Sequence, residues 1–342
     1  MKSWDLVFTG PGQVEFRQEE LPPPGPGEVQ CSACLSLVSA GTEERCLRGV
    51  FDPGTNWESW VRYPFKPGYS MQARVLAVGE GVSAFAPGDR VFAHAPHCQF
   101  FNVDAKMVNH LPEYISDREA VWTSMTRTTQ NGIRRADIQL GELVVVIGTG
   151  IVGLLTMQFA RIAGAGRLVA VSSNPRTLAL AASHGADITV RARAKEAIPE
   201  IERLTGGRMA DVVIDATGNP EVLSSACVMA RKNGRILIIG DTTEPHKQAL
   251  GPGVVSNYLT IMGAHSKMFV EDENPFFPYT WGRIHELSYE LMRQGRLRVD
   301  DLISTVVSPA EMPELYLKLL DDPSLLTGIL IDWSGLQGRT DR

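Results

Sequence analysis

The sequence has little of several features that mark specialised classes of protein. Five cysteines in 342 residues are too few, and odd in number, for a disulfide framework; this favours a reducing compartment, and we expect the cytoplasm. Acidic residues outnumber basic ones, giving a formal net charge of −6, so no positive field is present to attract nucleic acid. The first ten residues hold only a short apolar run, so no export signal is expected.

Long uncharged runs are also scarce. The stretch from Leu143 to Ala160 carries no charge and has the minimum length of a membrane-spanning helix. Three glycines, at 148, 150 and 153, divide it into a β-branched strand and a helix that begins near Ile151, so we expect no membrane association. The composition, 44% hydrophobic and 21% charged, is that of a folded protein of about two domains.

The pattern of predicted secondary structure changes near residue 116. Residues 1–115 hold short strand-like runs separated by Pro- and Gly-rich turns, which predicts a β-rich domain. Residues 116–265 alternate strands with helices, which predicts an α/β domain with a doubly wound parallel sheet. Its predicted strands are Leu143–Ile147, Leu168–Val171, Asp187–Val190, Val212–Asp215, Arg235–Ile239 and Leu259–Met262. Its helices are Ile151–Ala163, Pro175–His184, Ile198–Leu204 and Glu221–Ala230.

A glycine-rich turn follows the first of these strands and opens a helix. In this context the GxGxxG pattern indicates a dinucleotide site, because each glycine has a separate purpose. Gly148 permits a tight turn, Gly150 lets a pyrophosphate approach the backbone, and Gly153 lets the helix pack closely on the strand. The alternative is a turn that serves packing only. The candidate cofactor-binding residues here are Gly148, Thr149, Gly150, Ile151, Val152 and Gly153.

The end of the second predicted strand favours NADP(H) over NAD(H). A carboxylate that would hold the ribose 2′-hydroxyl of NAD is missing, and small hydroxyls, an amide and a guanidinium stand in its place. Hydroxyl donors and an arginine suit a 2′-phosphate. The candidate residues are Ser172, Ser173, Asn174 and Arg176. Asn174 also fits a simple helix cap ahead of Pro175.

The order of these parts resembles the medium-chain dehydrogenase/reductase superfamily. The resemblance covers the chain and rests on Ser39–Glu43, Pro67–Tyr69, Val78–Val82, Pro87–Val91 and the GTGIVG turn. It implies a GroES-like catalytic domain over residues 1–115, to which residues 266–342 return, and a Rossmann domain over 116–265. It also implies that Thr217 and Gly240 lie near the nicotinamide, and that strand Leu259–Met262 pairs with its copy in a homodimer.

The resemblance departs from the zinc-dependent members at the metal. Matched to the family's motifs, Ala40 stands at the position of the metal-binding Cys, Tyr69 at that of the His and Ser70 at that of the Glu. None is a usable zinc ligand, and the four-cysteine structural lobe is absent as well. We therefore predict a zinc-independent member. The cluster His94–Cys98 has poor ligand spacing around a proline and is read as structural.

Without a metal, hydroxyl groups must stabilise any oxyanion that hydride transfer creates. Thr42 keeps the position of the family's proton-relay hydroxyl, and the phenol of Tyr69 could donate to a carbonyl oxygen. These two are the candidate catalytic residues. Tyr69 could instead fill the vacated metal cavity by packing alone. Glu43 is expected to be a structural partner of a backbone N–H or an arginine, because an unpaired buried carboxylate is costly.

Two aromatic segments lack helical or strand periodicity and fit loops that line an apolar pocket. The candidate pocket residues are Trp57, Trp60, Phe276 and Phe277. A hydrophobic minicore or a subunit contact would explain the same residues.

Together these features predict a zinc-independent NAD(P)(H)-dependent oxidoreductase that interconverts a secondary alcohol and a ketone. The Ser-Ala-Gly-Thr-Glu and Pro-Gly-Tyr pair is similar to a subgroup found in biosynthetic pathways that includes the bacteriochlorophyllide hydroxyethyl dehydrogenases, which implies secondary alcohol–ketone chemistry on a pathway intermediate. The two aromatic segments favour a bulky small-molecule substrate. Two alternatives stay open. One is an NADPH-dependent reductase of a conjugated C=C bond, of the enoyl or quinone reductase type, and the other is a nucleotide-binding sensor without catalysis.

Overall fold

The computed structural model describes residues 1–266, 279–322, 325 and 327–336. The chain divides into two compact units. Unit 1 comprises Met1–Ser124 and Val299–Arg342, and unit 2 comprises Met125–Arg298. The mixed α/β fold with one β-rich and one parallel-sheet unit confirms the predicted fold class.

The first part of unit 1 is β-rich, as predicted, and adds helices that the sequence pattern did not indicate. Its elements are β1 (Lys2–Gly10), β2 (Gln13–Glu20), β3 (Glu28–Val38), α1 (Ala40–Arg48), α2 (Asn56–Trp60), β4 (Met71–Val78), β5 (Arg90–Ala93), β6 (Phe100–Asp104), β7 (Val108–His110) and α3 (Asp117–Ala120). Strands β1 and β2 form a hairpin, while β3 is the long central strand that pairs with both β4 and β6. Helix α1 buries Cys46 and Leu47 in the core of the unit.

The described part of unit 2 is built around six parallel strands. Its elements are α4 (Thr123–Ala136), β8 (Leu143–Ile147), α5 (Ile151–Ala163), β9 (Arg167–Ser172), α6 (Pro175–Ser183), β10 (Ile188–Arg191), α7 (Ala194–Thr205), β11 (Ala210–Asp215), α8 (Val222–Met229), β12 (Ala230–Ile238), β13 (Thr260–Gly263) and α9 (Trp281–Arg293). The strand order is β10-β9-β8-β11-β12-β13, that of a dinucleotide-binding sheet. Every residue of β8 is buried, because helices cover both faces of a doubly wound sheet. The predicted strand–helix alternation is confirmed.

The end of the chain completes the sheet of unit 1. It contributes β14 (Thr305–Val307), α10 (Met312–Asp321) and β15 (Ile329–Asp332). Strand β15 pairs with β3, so the seven-stranded sheet runs β14-β15-β3-β4-β5-β7 with β6 also against β3. The return of the chain end to the first domain therefore holds for these elements.

The structure moves both predicted boundaries. The first lies after Ser124 and not after residue 115, because the hydroxyl of Ser70 donates to the carbonyl oxygen of Val121 at 2.5 Å and holds that segment in unit 1. The second lies after residue 298 and not 265. Helix α9 belongs to unit 2, where the side-chain amide of Gln130 donates to the Ile284 carbonyl oxygen at 3.0 Å and the Ser288 hydroxyl at 3.1 Å.

Strand β13 overlaps the predicted strand Leu259–Met262 and is shifted by one residue; among the described residues it lies at an edge of the six-stranded sheet, where it pairs with β12. Its use in a homodimer stays a prediction. Within the described ranges no helix is long and apolar enough to cross a membrane.

A buried carboxylate closes the amino-terminal end of β11. Asp211 accepts hydrogen bonds from the Leu143 backbone N–H at 2.8 Å and from the guanidinium groups of Arg208 and Arg231 at 2.7 and 2.5 Å. Burial alone would raise the pKa of Asp211, but these donors outweigh it and lower the pKa to about 2. The folded pKa lies below the ordinary value of 3.8, so the stabilisation is complete above pH 4 and is lost between about pH 4 and pH 2.

We expect Asp211→Asn to lower the free energy of unfolding by about 2 kcal/mol at pH 7 and by about half as much at pH 3. Urea unfolding of wild type and variant at both pH values measures the difference. Glu200→Gln, which removes a partly exposed carboxylate of the same unit that pairs with Arg203, serves as control and should change stability much less than Asp211→Asn does. An equal loss at pH 7 and pH 3 would contradict the assignment.

Candidate active site

The turn between β8 and α5 is shaped by close backbone contacts. Gly148 has a φ of +95°, in the left-handed region that favours glycine. A Cβ atom on Gly153 would lie 2.0 Å from the Gly148 carbonyl oxygen, so a side chain at that position cannot be accommodated without movement. A Cβ atom on Gly150 would meet nothing within 4 Å. The open space at Gly150 is therefore a cradle beside the helix start.

Helix α5 offers its first N–H groups to that cradle. Gly150 is the N-cap residue and supplies no capping side chain, and the first turn, with Ile151 and Val152, carries no acidic residue. The N–H groups and the positive end of the helix dipole suit a phosphate group. The predicted cofactor-binding turn thus has the geometry that a pyrophosphate needs.

The loop after β9 is tied to the glycine-rich turn. Thr149, almost fully buried, shares a hydrogen bond of 2.5 Å between its hydroxyl and that of Thr177 in α6. The Asn174 side chain accepts from the backbone N–H of Arg176 at 2.9 Å and so caps α6. Ser172 accepts from the Asn174 N–H at 3.2 Å. Ser173 and Arg176 are exposed. Capping by Asn174 is therefore observed, and it leaves the guanidinium of Arg176 directed away from the core.

Residues from three strand ends meet at the same edge of the sheet. A Cβ atom on Gly148 would lie 2.8 Å from the Thr217 methyl carbon, and one on Gly240 would lie 2.3 Å from the Gly218 backbone nitrogen. Thr217 donates its hydroxyl to Asp215 at 2.6 Å. The carboxyl ends of β8, β11 and β12 thus bring the predicted residues Thr217 and Gly240 to the glycine-rich turn.

In unit 1 the two candidate catalytic hydroxyls are neighbours. Thr42 lies in the first turn of α1, and Tyr69 lies just before β4. The Tyr69 hydroxyl donates to the Thr42 hydroxyl at 3.5 Å, a long and weak hydrogen bond, and its ring stacks on that of His94 with centroids 5.7 Å apart. Burial raises the pKa of Tyr69 to about 12 against the effect of its hydrogen bonds to Ser39 and Thr42. Tyr69 is therefore a neutral phenol that can donate a hydrogen bond.

The positions that match the family's zinc ligands also lie in unit 1, but their side chains do not fit zinc. Ala40 begins α1 and offers only a methyl group, the Tyr69 phenol keeps its proton, and the Ser70 hydroxyl is engaged with the Val121 carbonyl oxygen. Over the residues with described positions, no three His, Cys, Asp or Glu side chains are grouped so as to hold a metal ion. We derive no step through zinc.

The aromatic segment after residue 50 is partly helical. Trp57 and Trp60 lie in α2 with ring centroids 6.0 Å apart, which differs from the loop that the sequence predicted. Trp57 is buried in the core of unit 1, while Trp60 is 41% exposed and touches Phe65 edge to face. Only Trp60 of this pair therefore presents a broad surface. Phe276 and Phe277 lie outside the described residues.

Sequence reasoning missed a buried polar cluster beneath α1. Glu43 is expected to meet a backbone N–H or an arginine, and it does accept from the Ser39 N–H at 2.8 Å. It also contacts His97 at 3.2 Å and accepts from the Tyr316 hydroxyl at 2.5 Å. His97 was predicted only as structural filler. These partners lie far apart in the chain, so no local sequence pattern indicated their contacts.

Comparisons with known proteins agree with this architecture. Residues 152–276 match the family model of zinc-binding dehydrogenases. The chain is 28% identical to D-guloside 3-dehydrogenase of Escherichia coli (strain K12) over 75% of this chain and 74% of the relative. It is 29% identical to NADP-dependent isopropanol dehydrogenase of Thermoanaerobacter brockii over 66% of this chain and 72% of that relative.

The fold is shared with a solved structure assigned as a zinc-binding dehydrogenase of Sinorhizobium meliloti 1021 and bound to NADP. The TM-score is 0.79 at 21% identity, over 97% of this chain and 99% of the other. The chain is an oxidoreductase, similar to dehydrogenases of the medium-chain dehydrogenase/reductase type. This agrees with the resemblance seen in the sequence.

Two glycine substitutions separate cofactor binding from folding in this oxidoreductase. Gly150→Ala places a methyl group in open space at a φ of −67°, so the thermal unfolding midpoint should stay unchanged. The methyl would occupy the place of the pyrophosphate, and we expect NADPH affinity to fall by about tenfold or more.

Gly153→Ala should instead cost about 1–3 kcal/mol of stability by overpacking. Calorimetric titration and thermal unfolding of both variants test the pair. Wild-type NADPH affinity in Gly150→Ala would contradict the assignment.

Proposed function

We propose that this oxidoreductase interconverts a secondary alcohol and a ketone with NADP(H) and without zinc. The observation that carries the proposal is the Thr42–Tyr69 hydroxyl pair, which stands where the family's resemblance would place a metal and its relay group. A neutral phenol beside a threonine hydroxyl can replace a Lewis acid as the stabiliser of a developing oxyanion.

The two hydroxyls have complementary roles in ketone reduction. The bound dinucleotide supplies the hydride. Tyr69 donates a hydrogen bond to the carbonyl oxygen and then the proton that the alkoxide takes up, while Thr42 orients the phenol and relays a proton to it. The 3.5 Å bond from Tyr69 to Thr42 is weak, so the phenol can turn to a substrate at small cost. With its pKa raised to about 12, Tyr69 is protonated at neutral pH and ready to donate.

The residues around α6 support NADP(H). Ser172 stands at the end of β9 where a carboxylate would hold an unphosphorylated ribose, and a hydroxyl does not repel a 2′-phosphate. Arg176 is exposed in the first turn of α6, where its guanidinium can make charge-assisted hydrogen bonds to that phosphate. The glycine-rich turn would hold the pyrophosphate.

The substrate class follows from the relatives and from unit 1. The two relatives are named for oxidation of D-guloside and of isopropanol, which favours carbonyl and alcohol chemistry over reduction of a C=C bond. The exposed ring of Trp60 suits an apolar part of a bulky substrate, as expected for a biosynthetic intermediate. Trp57 supports Trp60 from the core.

The first test of the proposal concerns cofactor and metal. Purified protein is titrated with NADPH and with NADH by calorimetry, and its zinc content is measured. We expect tighter binding of NADPH and far less than one zinc per chain. Arg176→Ala should weaken NADPH binding by about tenfold and leave NADH binding unchanged. Arg203→Ala, which removes an exposed arginine of α7, is the control. One zinc per chain, or tighter binding of NADH, would overturn this part of the proposal.

The second test concerns the hydroxyls. Turnover with NADP⁺ is measured on 2-propanol, 1-phenylethanol and methyl D-guloside, and the reverse reaction on the matching ketones. We expect Tyr69→Phe to lower kcat by about 100-fold and Thr42→Ala by about tenfold, because each loses a group that acts in the transition state. Ser59→Ala, an exposed hydroxyl in α2, should have no effect. Unchanged turnover in Tyr69→Phe would remove the proposed mechanism.

A further inference from the structure

A polar network is buried beneath the hydroxyl pair and is not used in the mechanism above. Its members are Glu43, His97, Tyr316, Ser36 and Trp333, each no more than 2% exposed. They come from α1, the segment after β5, α10, β3 and the segment after β15. Buried polar groups cost folding free energy unless each has a hydrogen-bond partner. A network in which every group has a partner therefore holds its members in one arrangement.

The hydrogen bonds of the network have a consistent direction. The Trp333 indole, which can only donate, donates to the Ser36 hydroxyl at 3.0 Å. Ser36 then donates to Nδ1 of His97 at 2.8 Å, and Nε2–H of His97 donates to Oε2 of Glu43 at 3.2 Å. The Tyr316 hydroxyl donates to the same carboxylate at 2.5 Å. With the Nε2 proton of His97 directed at Glu43, each of these groups has a hydrogen-bond partner.

Each end of the Glu43–His97 contact is fixed to a segment that carries a catalytic hydroxyl. Glu43 follows Thr42 in α1, and its Oε1 accepts from the N–H of Ser39, the N-cap residue, which supplies no side-chain cap of its own. The carboxylate thus satisfies one of the free N–H groups at the start of the helix and ties the N-cap residue to the first turn.

His97 holds the other segment. Its backbone N–H donates to the Pro67 carbonyl oxygen at 2.7 Å. Its ring lies against Gly68, where a Cβ atom would come within 2.6 Å of Cδ2 and where φ is +96°. Gly68 directly precedes Tyr69. The backbone segment before Tyr69 therefore packs directly against the imidazole of His97.

We propose that Glu43, His97 and Tyr316 form a positioning network that sets the separation of the Thr42 and Tyr69 hydroxyls. This rests on the function proposed above. The network joins the first turn of α1 to the segment before β4 through a single buried carboxylate with three hydrogen-bond donors. Glu43 and His97 are positioning residues, because their contacts are with the segments that carry the reacting hydroxyls.

The proposal is tested first by NMR, without any substrate. Full-length protein is labelled with ¹³C at Cζ of tyrosine, and the Tyr69 signal is assigned by its loss in Tyr69→Phe. We expect Glu43→Gln to shift the Tyr69 signal. Glu44→Gln is the matched control, since Glu44 is the next carboxylate of α1 and pairs with Arg48 at 2.5 Å; it should leave the signal in place. A Tyr69 signal unchanged in Glu43→Gln would overturn the proposal.

A double-mutant cycle gives the kinetic test, on whichever of the three alcohols above has the highest kcat/KM. We expect Glu43→Gln to lower kcat by about tenfold with KM within about twofold, and to have no further effect in a Tyr69→Phe background. Additive losses would show that Glu43 does not act through Tyr69. If Tyr69→Phe alone has no effect, the proposed function fails, while the NMR result still decides the positioning role.

Tyr316→Phe provides a second variant should Glu43→Gln not fold. It removes only the hydroxyl and keeps the ring, which packs edge to face on Phe8 at 5.0 Å. We expect it to shift the Tyr69 signal in the same direction by a smaller amount, because Glu43 keeps its other two donors. Urea unfolding confirms that each variant is folded before its signal is read, and an unshifted signal in folded Tyr316→Phe contradicts its membership of the network.

Discussion

At the carboxyl ends of β8, β11 and β12 the backbone segments approach one another so closely that glycine alone fits. The Gly148 carbonyl oxygen, the Gly153 Cα and the backbone at Gly218 and Gly240 occupy the space that side chains would otherwise fill. This close packing follows from a parallel sheet whose central strand is wholly buried, since its connections must turn sharply over the strand ends. Gly150, between these tightly packed glycines, is the position where open space remains.

In unit 1 the controlling factor is the cost of burying polar groups. A polar side chain that stands at the position of a metal ligand but cannot bind metal needs another hydrogen-bond partner. Ser70 turns to a backbone carbonyl oxygen, and Tyr69 keeps its proton and turns to Thr42. Ala40 removes the problem by having no polar group. In the proposed mechanism the chemistry depends on these neutral hydroxyls, and their hydrogen bonds require the supporting groups to be fixed.

The sequence predicted unit 2 more closely than unit 1. Helix α5 begins and ends where predicted, as does β8, because a fully apolar strand, a glycine-rich turn and an apolar helix are all local patterns. Helix α1 was missed because its buried face includes Glu43 and Glu44, which read as polar surface. The boundary at residue 265 was wrong because α9 is placed by its contacts with α4, more than 150 residues earlier in the chain.

By itself the sequence determined the doubly wound sheet and the dinucleotide turn, and the family resemblance predicted that Ala40, Tyr69 and Ser70 stand at the positions of the metal ligands. Each of these follows from residues that are close together in the chain, through periodicity, glycine spacing or residue type. Only the tertiary structure decided what lies beneath Tyr69. Glu43 meets His97 from 54 residues away and Tyr316 from 273 residues away. Such contacts depend on how strands pair and on what burial requires of a charge, and no local pattern encodes either.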